Sequence, residues 1–211
     1  MDRKENALIF DLDGTLWDTR EPVVRIWNDV FEAQGHGRPL TSAMLTGLMG
    51  KPMSEFGKAI FPDLPAEVRE PLIRRAEQQE NNGLLATGKD CLYPSAKAVI
   101  RGLARDHWIG IASNCQEGYI ETFLQVSGLE DVVDGFISNG ETNLDKDRNI
   151  RILMERNGLD QAVYIGDTDG DKNCAAVAGL PFIWCRYGFG RDVAKSGIDD
   201  LLELPEKLNR N

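Results

Sequence analysis

Residues 7–18, "ALIFDLDGTLWD", drive an apolar run directly into Asp11, Leu12 and Asp13 and then turn on Gly14-Thr15. A short run of large and β-branched apolar residues suits a strand buried on both faces. Two aspartates at the carboxyl end of such a strand are either a turn with a helix cap or the edge of a functional site. An isolated Asp-x-Asp-Gly-Thr leaves both readings open, so the surrounding sequence has to decide.

Moving outward, "IGIAS" (109–113), the weaker "GFIS" (135–138), "AVYIG" (162–166) and "PFIWC" (181–185) repeat the buried-strand pattern. Helical segments separate them. In "SAKAVIRGLARD" the residues Ala96, Val99, Ile100 and Leu103 recur at helical spacing, with Ser95 as the expected N-cap. "EGYIETFLQVSG" stops at Gly128, "RNIRILMERNG" at Gly158 and "DKNCAAVAG" at Gly179. Strands alternating with helices predict right-handed βαβ units: an α/β fold with a doubly wound, parallel, five-stranded Rossmann-like core. Residues 18–87 break the pattern. They hold no clear strand, only helical stretches interrupted by "GHGRP", "MGKP" and "FPDLP", and predict an inserted helical unit. Pro71, inside "PAEVREPLIRRAEQQEN", predicts a kink or two helices there.

Charge and composition narrow the function. A formal net charge of −10 argues against nucleic acid, which requires basic surface, and against anionic membrane. No segment approaches the roughly 20 apolar residues of a membrane span, and no signal peptide is visible. The four cysteines form no C-x-x-C pair, which points to reduced thiols and a cytoplasmic protein. With only His36 and His107, a three-histidine metal site is impossible and a Ser-His-Asp triad is disfavoured. His107 is expected at a helix end, and His36 in a loop without a role.

In an open α/β sheet, ligands bind outside the carboxyl ends of the strands, where strand order reverses. The first strand delivers Asp11 and Asp13 there, the second Ser113 and Asn114, and the fourth Asp167, Asp169 and Asp171, while Lys146 opens the helix before that fourth strand. Carboxylates crowded at one edge repel unless a cation sits among them. Oxygen-only ligands select a hard ion, Mg²⁺ above all.

These motifs, in this order and at these strand ends, resemble the haloacid dehalogenase-like superfamily, most closely its phosphatase-type members with a helical cap inserted after the first motif. The resemblance implies a catalytic core over 1–17 and 88–211 and a cap domain over 18–87. It implies a Mg²⁺-dependent phosphomonoester hydrolase acting on a small phosphorylated metabolite through an aspartyl phosphate. Asp11 would be the nucleophile, Asp13 the acid and then the base, and Lys146 the neutralising cation, with Arg148 as its substitute. Thr15, Ser113 and the backbone around Gly14 and Asn114 would bind phosphate. Asp11, the Asp13 carbonyl and Asp167 would hold Mg²⁺, with Asp171 beside it, directly or through water; Asp169 is left outside that set. Lys51, in "TGLMGKPMSEF", is either a solvated lysine or a cap-loop residue reading substrate, and Tyr187 is a further candidate for substrate contact. Trp17 lines the cleft or, as packing favours, fills the hinge.

A phosphomutase would use the same residues and is not separated from a hydrolase by the sequence. A dehalogenase is disfavoured by Asp13. A receiver-type signalling module is disfavoured by the motif on the first strand and by the insertion, and a non-catalytic binding protein by the intact acids. Monomer and homodimer remain equally open.

Overall fold

The computed structural model describes residues 3–209; residues 1–2 and 210–211 of the expected core lie outside the described residues. After a short 3₁₀ turn, Arg3–Asn6, comes strand β1, Ala7–Phe10. Its residues alternate between two cores. Leu8 and Phe10 pack with Ile100, Ile109 and Phe123 on one side, whereas Ala7 and Ile9 pack with Ile150, Leu153 and Tyr164 on the other. Period-two alternation between two buried faces is what a central parallel strand requires.

Four helices follow: α1 (Arg20–Ala33), α2 (Ser42–Leu48), α3 (Met53–Ile60) and α4 (Ala66–Thr87). Next come α5 (Ala96–Leu103), β2 (Trp108–Ser113), α6 (Tyr119–Ser127), β3 (Gly135–Ser138), α7 (Asn139–Thr142) and α8 (Lys146–Asn157). The chain ends with β4 (Ala162–Gly166), α9 (Asp169–Ala178), β5 (Phe182–Cys185), β6 (Gly197–Ile198) and α10 (Leu204–Asn209). All sheet pairs are parallel, in the order β3-β2-β1-β4-β5-β6. The chain winds outward from β1 through β2 to β3, then returns to β4 on the other flank. The switch point therefore lies at the carboxyl end of β1, with Asp11 continuing the ladder by donating its N–H to Ile165 O at 2.8 Å.

The five expected strands are present, together with a sixth of two residues, too short to leave a pattern in the sequence. Helices α6, α8 and α9 stop on Gly128, Gly158 and Gly179, each left-handed. Ser95 departs from its expected role. Its hydroxyl makes no cap bond and donates instead to Asp200 Oδ1 at 2.8 Å.

Helices α1–α4 bury their own cluster, centred on Trp27, Phe31, Phe56, Phe61, Leu72 and Ile73. Trp27 and Phe31 meet edge to face at 5.9 Å between centroids. Pro71 does not split α4, which runs unbroken for 22 residues. It stands in the second turn, where its missing N–H costs a single bond near the helix end. The far end of α4 joins the first core cluster through Leu84, beside Trp17. Trp17 is fully buried, edge-on to Tyr119 at 5.2 Å and Phe123 at 5.1 Å, so it fills the junction rather than the cleft. Among the described residues no helix is long and apolar enough to cross a membrane, and all four cysteines are free thiols.

Phe123 therefore supports the first core cluster and the junction together. Phe123→Ala is expected to lower the free energy of unfolding by about 3–5 kcal/mol, measured by urea denaturation.

Candidate active site

Four buried charged side chains meet at the switch point. Lys146, the first residue of α8, donates from Nζ to Asp171 Oδ1 at 2.7 Å. The same nitrogen stands 2.9 Å from Asp11 Oδ1, an ion-pair contact that lacks hydrogen-bond alignment. Oxygens of Asp11, Asp167 and Asp171 lie within 4.8 Å of one another. Three carboxylates thus share one ammonium.

Burial raises the Asp11 carboxyl, repulsion from Asp171 adds to the rise, and Lys146 opposes it. Asp167 is raised by burial and then by Asp171 and Asp11. Asp171 goes the other way: burial would raise it, but Lys146 and Thr168 outweigh burial and hold it below the usual range. Lys146 stays well above its ordinary value, since Asp11 and Asp171 overcome the opposing effect of burial.

Asp171 is engaged at both oxygens. Its Oδ2 accepts from Thr168 N at 2.9 Å and Thr168 Oγ1 at 2.6 Å, closing a capping box at the start of α9. Asp167 differs. Its Oδ2 accepts from Phe189 N at 2.6 Å, while its Oδ1 is buried without a hydrogen-bond partner. Glycine surrounds it by necessity: a Cβ at Gly14 (φ +82°) would lie 2.3 Å from Asp167 Oδ2, and one at Gly188 2.5 Å from it. The unpartnered Oδ1 of Asp167, all-oxygen donors and an excess of negative charge fit a hard divalent cation.

Asp13 lies one step along the strand end. Its Oδ1 accepts from Tyr119 O–H at 2.8 Å and from Thr19 O–H at 3.1 Å. Both donors address one oxygen and leave Oδ2 for other work. Burial pushes the carboxyl up to about 7, with the Tyr119 bond acting against the rise and the neighbouring Asp11 adding to it.

Thr15 is fully buried, and its hydroxyl has no partner. Its carbonyl accepts from Tyr187 O–H at 2.8 Å, so Tyr187 braces the Gly14-Thr15 turn and is not among the cavity walls. Ser113 and Asn114 line a cavity of about 40 Å³ together with Asp11, Asp13, Tyr119 and residues of α1–α4. Asn114 Nδ2 donates to Gly50 O at 2.8 Å, joining the sheet edge to the loop that carries Lys51. Lys51 also lines the cavity, half exposed and 3.7 Å from Glu55. The structure thus brings Asp11, Asp13, Thr15, Ser113, Asn114, Lys146, Asp167 and Asp171 to one rim, with Lys51 on the facing loop.

Sequence reasoning missed Thr19, Tyr119, Gln116 and Glu80. Tyr119 and Thr19 open helices next to strand-end motifs, which was the available signal for both. Glu80 falls on the stripe Ile73, Ala76, Leu84 of α4, where helical spacing demands an apolar residue. That mismatch was visible in the sequence.

The haloacid dehalogenase-like hydrolase family model matches residues 8–185. Among curated proteins, phosphoglycolate phosphatase of Rhodospirillum rubrum is 27% identical over 96% of this chain and 90% of its own. Phosphoglycolate phosphatase of Synechococcus elongatus is also 27% identical, over 96% and 94%. Among solved structures, a predicted phosphoglycolate phosphatase from Haemophilus somnus superposes with a TM-score of 0.80 at 16% identity, covering 98% of this chain and 99% of that one.

The two buried acids that follow β4, Asp167 and Asp171, should respond oppositely to neutralisation. Asp171→Asn removes a partner of buried Lys146 and is expected to cost about 3–5 kcal/mol of stability. Asp167→Asn relieves repulsion and should leave stability in chelator equal or higher. Parallel urea titrations of both variants check the contrast.

Proposed function

The chain belongs to the haloacid dehalogenase-like hydrolases, and from that membership we propose that it is a Mg²⁺-dependent phosphatase cleaving a small phosphomonoester through an aspartyl phosphate on Asp11. It is an enzyme of phosphatase type. The observation that carries the mechanism is the contrast between two neighbouring carboxyls: Asp11 stands against the lysine, and Asp13, raised by burial, is held at one oxygen by two hydroxyls.

In this reading Asp11 attacks phosphorus, forming an O–P bond as the bond to the leaving oxygen breaks. Asp13 Oδ2 gives its proton to that oxygen, so the alcohol departs neutral. Tyr119 and Thr19 hold Asp13 by its other oxygen, which fixes the direction of the proton. The carboxylate left on Asp13 then takes a proton from water, whose oxygen attacks the phosphorus of the aspartyl phosphate and regenerates Asp11. Lys146 offsets the repulsion between carboxylate and phosphate. The Thr15 and Ser113 hydroxyls and the N–H groups near Gly14 and Asn114 bind the phosphate oxygens.

Asp11, the Asp13 carbonyl and Asp167 are the residues we assign to Mg²⁺, with Asp171 behind them holding Lys146. When bound, that ion supplies positive charge to the phosphate oxygens. We take residues 1–17 and 88–211 as the catalytic core and 18–87 as its cap. A cavity of about 40 Å³ has room for water but not for a phosphorylated metabolite. Substrate entry then requires the cap to part from the core, releasing the Asn114–Gly50 bond and the contacts of Asn81 with Glu117 and Gln116. That no helix among the described residues is long and apolar enough to cross a membrane, and that the thiols are free, suits a cytoplasmic setting.

The test uses p-nitrophenyl phosphate, whose leaving group needs little protonation. Asp11→Asn should abolish turnover, a loss on the order of 10³-fold or more. Asp13→Asn should give a burst of one p-nitrophenolate per enzyme and then slow steady release, because the base for water is gone. Wild-type rates in Asp11→Asn would overturn the nucleophile.

A further inference from the structure

Glu80 is an acid in a wall where nothing balances it. It lies on the buried stripe of α4 and faces the cavity opposite Asp13. Its Oε2 accepts from Trp27 Nε1, and the Gln116 side chain also hydrogen-bonds the carboxyl. Among the described residues no lysine or arginine pairs with it. On the side of α1–α4 the wall is mainly apolar, Val23, Leu45, Met49, Met53 and Phe56, while Thr19, Gln116 and Tyr119 add uncharged polar groups. The one basic side chain lining the cavity, Lys51, is half exposed and next to Glu55.

That chamber belongs to α1–α4 and receives whatever extends beyond the phosphate. A leaving group ending in a carboxylate would lose its water in a chamber that offers no buried cation to offset it, whereas an ammonium there would draw the proton off Glu80 and pair with it. An alcohol ending in an N–H or O–H donor would complete the carboxyl instead. We propose that Glu80 is the specificity-determining residue of the leaving-group chamber, selecting phosphomonoesters that end in a hydrogen-bond donor, ammonium or hydroxyl, and rejecting those that end in a carboxylate.

The proposal rests on the phosphatase reading above, and it separates this chain from the named activity of its curated relatives. Burial pushes the carboxyl up to about 8, with the Trp27 bond opposing and Asp13 adding to the rise, as fits an acid lacking a cationic partner. The structural duty of Glu80, accepting from Trp27 and Gln116, can be met by the carbonyl oxygen of a glutamine, so the fold does not require an ionisable group there.

Phosphoethanolamine, glycerol phosphate and phosphoglycolate are compared with Mg²⁺ present, and p-nitrophenyl phosphate reports phosphatase competence. For the wild type, kcat/KM should be at least about tenfold higher for the two donor-bearing esters than for phosphoglycolate. A lead of phosphoethanolamine over glycerol phosphate identifies ammonium as the preferred donor, and the reverse identifies hydroxyl. Glu80→Gln should bring the three esters to within about threefold of one another, chiefly through KM. Phosphoglycolate as the best wild-type substrate would overturn the proposal even if the variant failed to fold, and so would an unchanged ranking in Glu80→Gln. Either result, with p-nitrophenyl phosphate still cleaved, leaves the phosphatase reading standing. Cleavage of none of the four would overturn both.

Discussion

Three buried carboxylates around a single buried ammonium set the terms for the centre of this protein. Lys146 can neutralise one negative charge fully, and geometry gives most of it to Asp171, which also closes the cap of α9. Asp11 receives the remainder, and Asp167 receives one backbone N–H, from Phe189, and glycine walls but no direct cation contact. Such an arrangement has a strong, permanent member and two members held ready for something positive. Gly14 and Gly188 are needed for the same reason, because any side chain there would occupy the space of the Asp167 carboxylate.

Much of this was legible in the sequence because the fold converts strand ends into neighbours. Asp11, Ser113 and Asp167 each follow an apolar run directly, so recognising the runs placed the residues. Lys146 required only that the helix before β4 begin at the same edge. The unread part involves partners chosen by packing. Nothing in "GDTDGD" says that Thr168 occupies one oxygen of Asp171, which decides whether that acid is a ligand or a support. Tyr119 reads as the apolar start of an amphipathic helix, yet its hydroxyl reaches Asp13 across the junction. Ser95 looked like a cap and instead serves Asp200, a residue 105 positions away. Local pattern names the groups available, and tertiary contact decides what they do.

The helical layer adds a second constraint. It packs on its own aromatic cluster, meets the sheet edge through a few polar contacts such as Asn114 to Gly50, and joins the core at an apolar junction, Leu84 beside Trp17. Strong internal packing, with polar contacts over the cleft and an apolar junction beside it, suits two bodies that hinge without unfolding. In the proposed reading, the charge excess at the rim and the closure above it serve one purpose: an anionic ester would be admitted, screened from water and held against a nucleophile of its own sign.

The central claim is that a divalent cation makes the crowded acids tolerable, and thermal unfolding across pH addresses it directly. Asp11 and Asp167 titrate at about 6 and about 8 in the folded chain, above the ordinary carboxylate value of 3.8. The folded state therefore keeps protons that the unfolded chain has released, and stability in chelator falls as pH rises from about 4 to about 8. Glu80 and Asp13 contribute to that slope but not to the effect of an ion. With Mg²⁺ fixed at about a hundred times its dissociation constant at pH 8, the gap in Tm over chelator should open from near zero at about pH 4.5 to about 5–10 °C at pH 8. A gap that is absent, or that does not change with pH, would contradict the account.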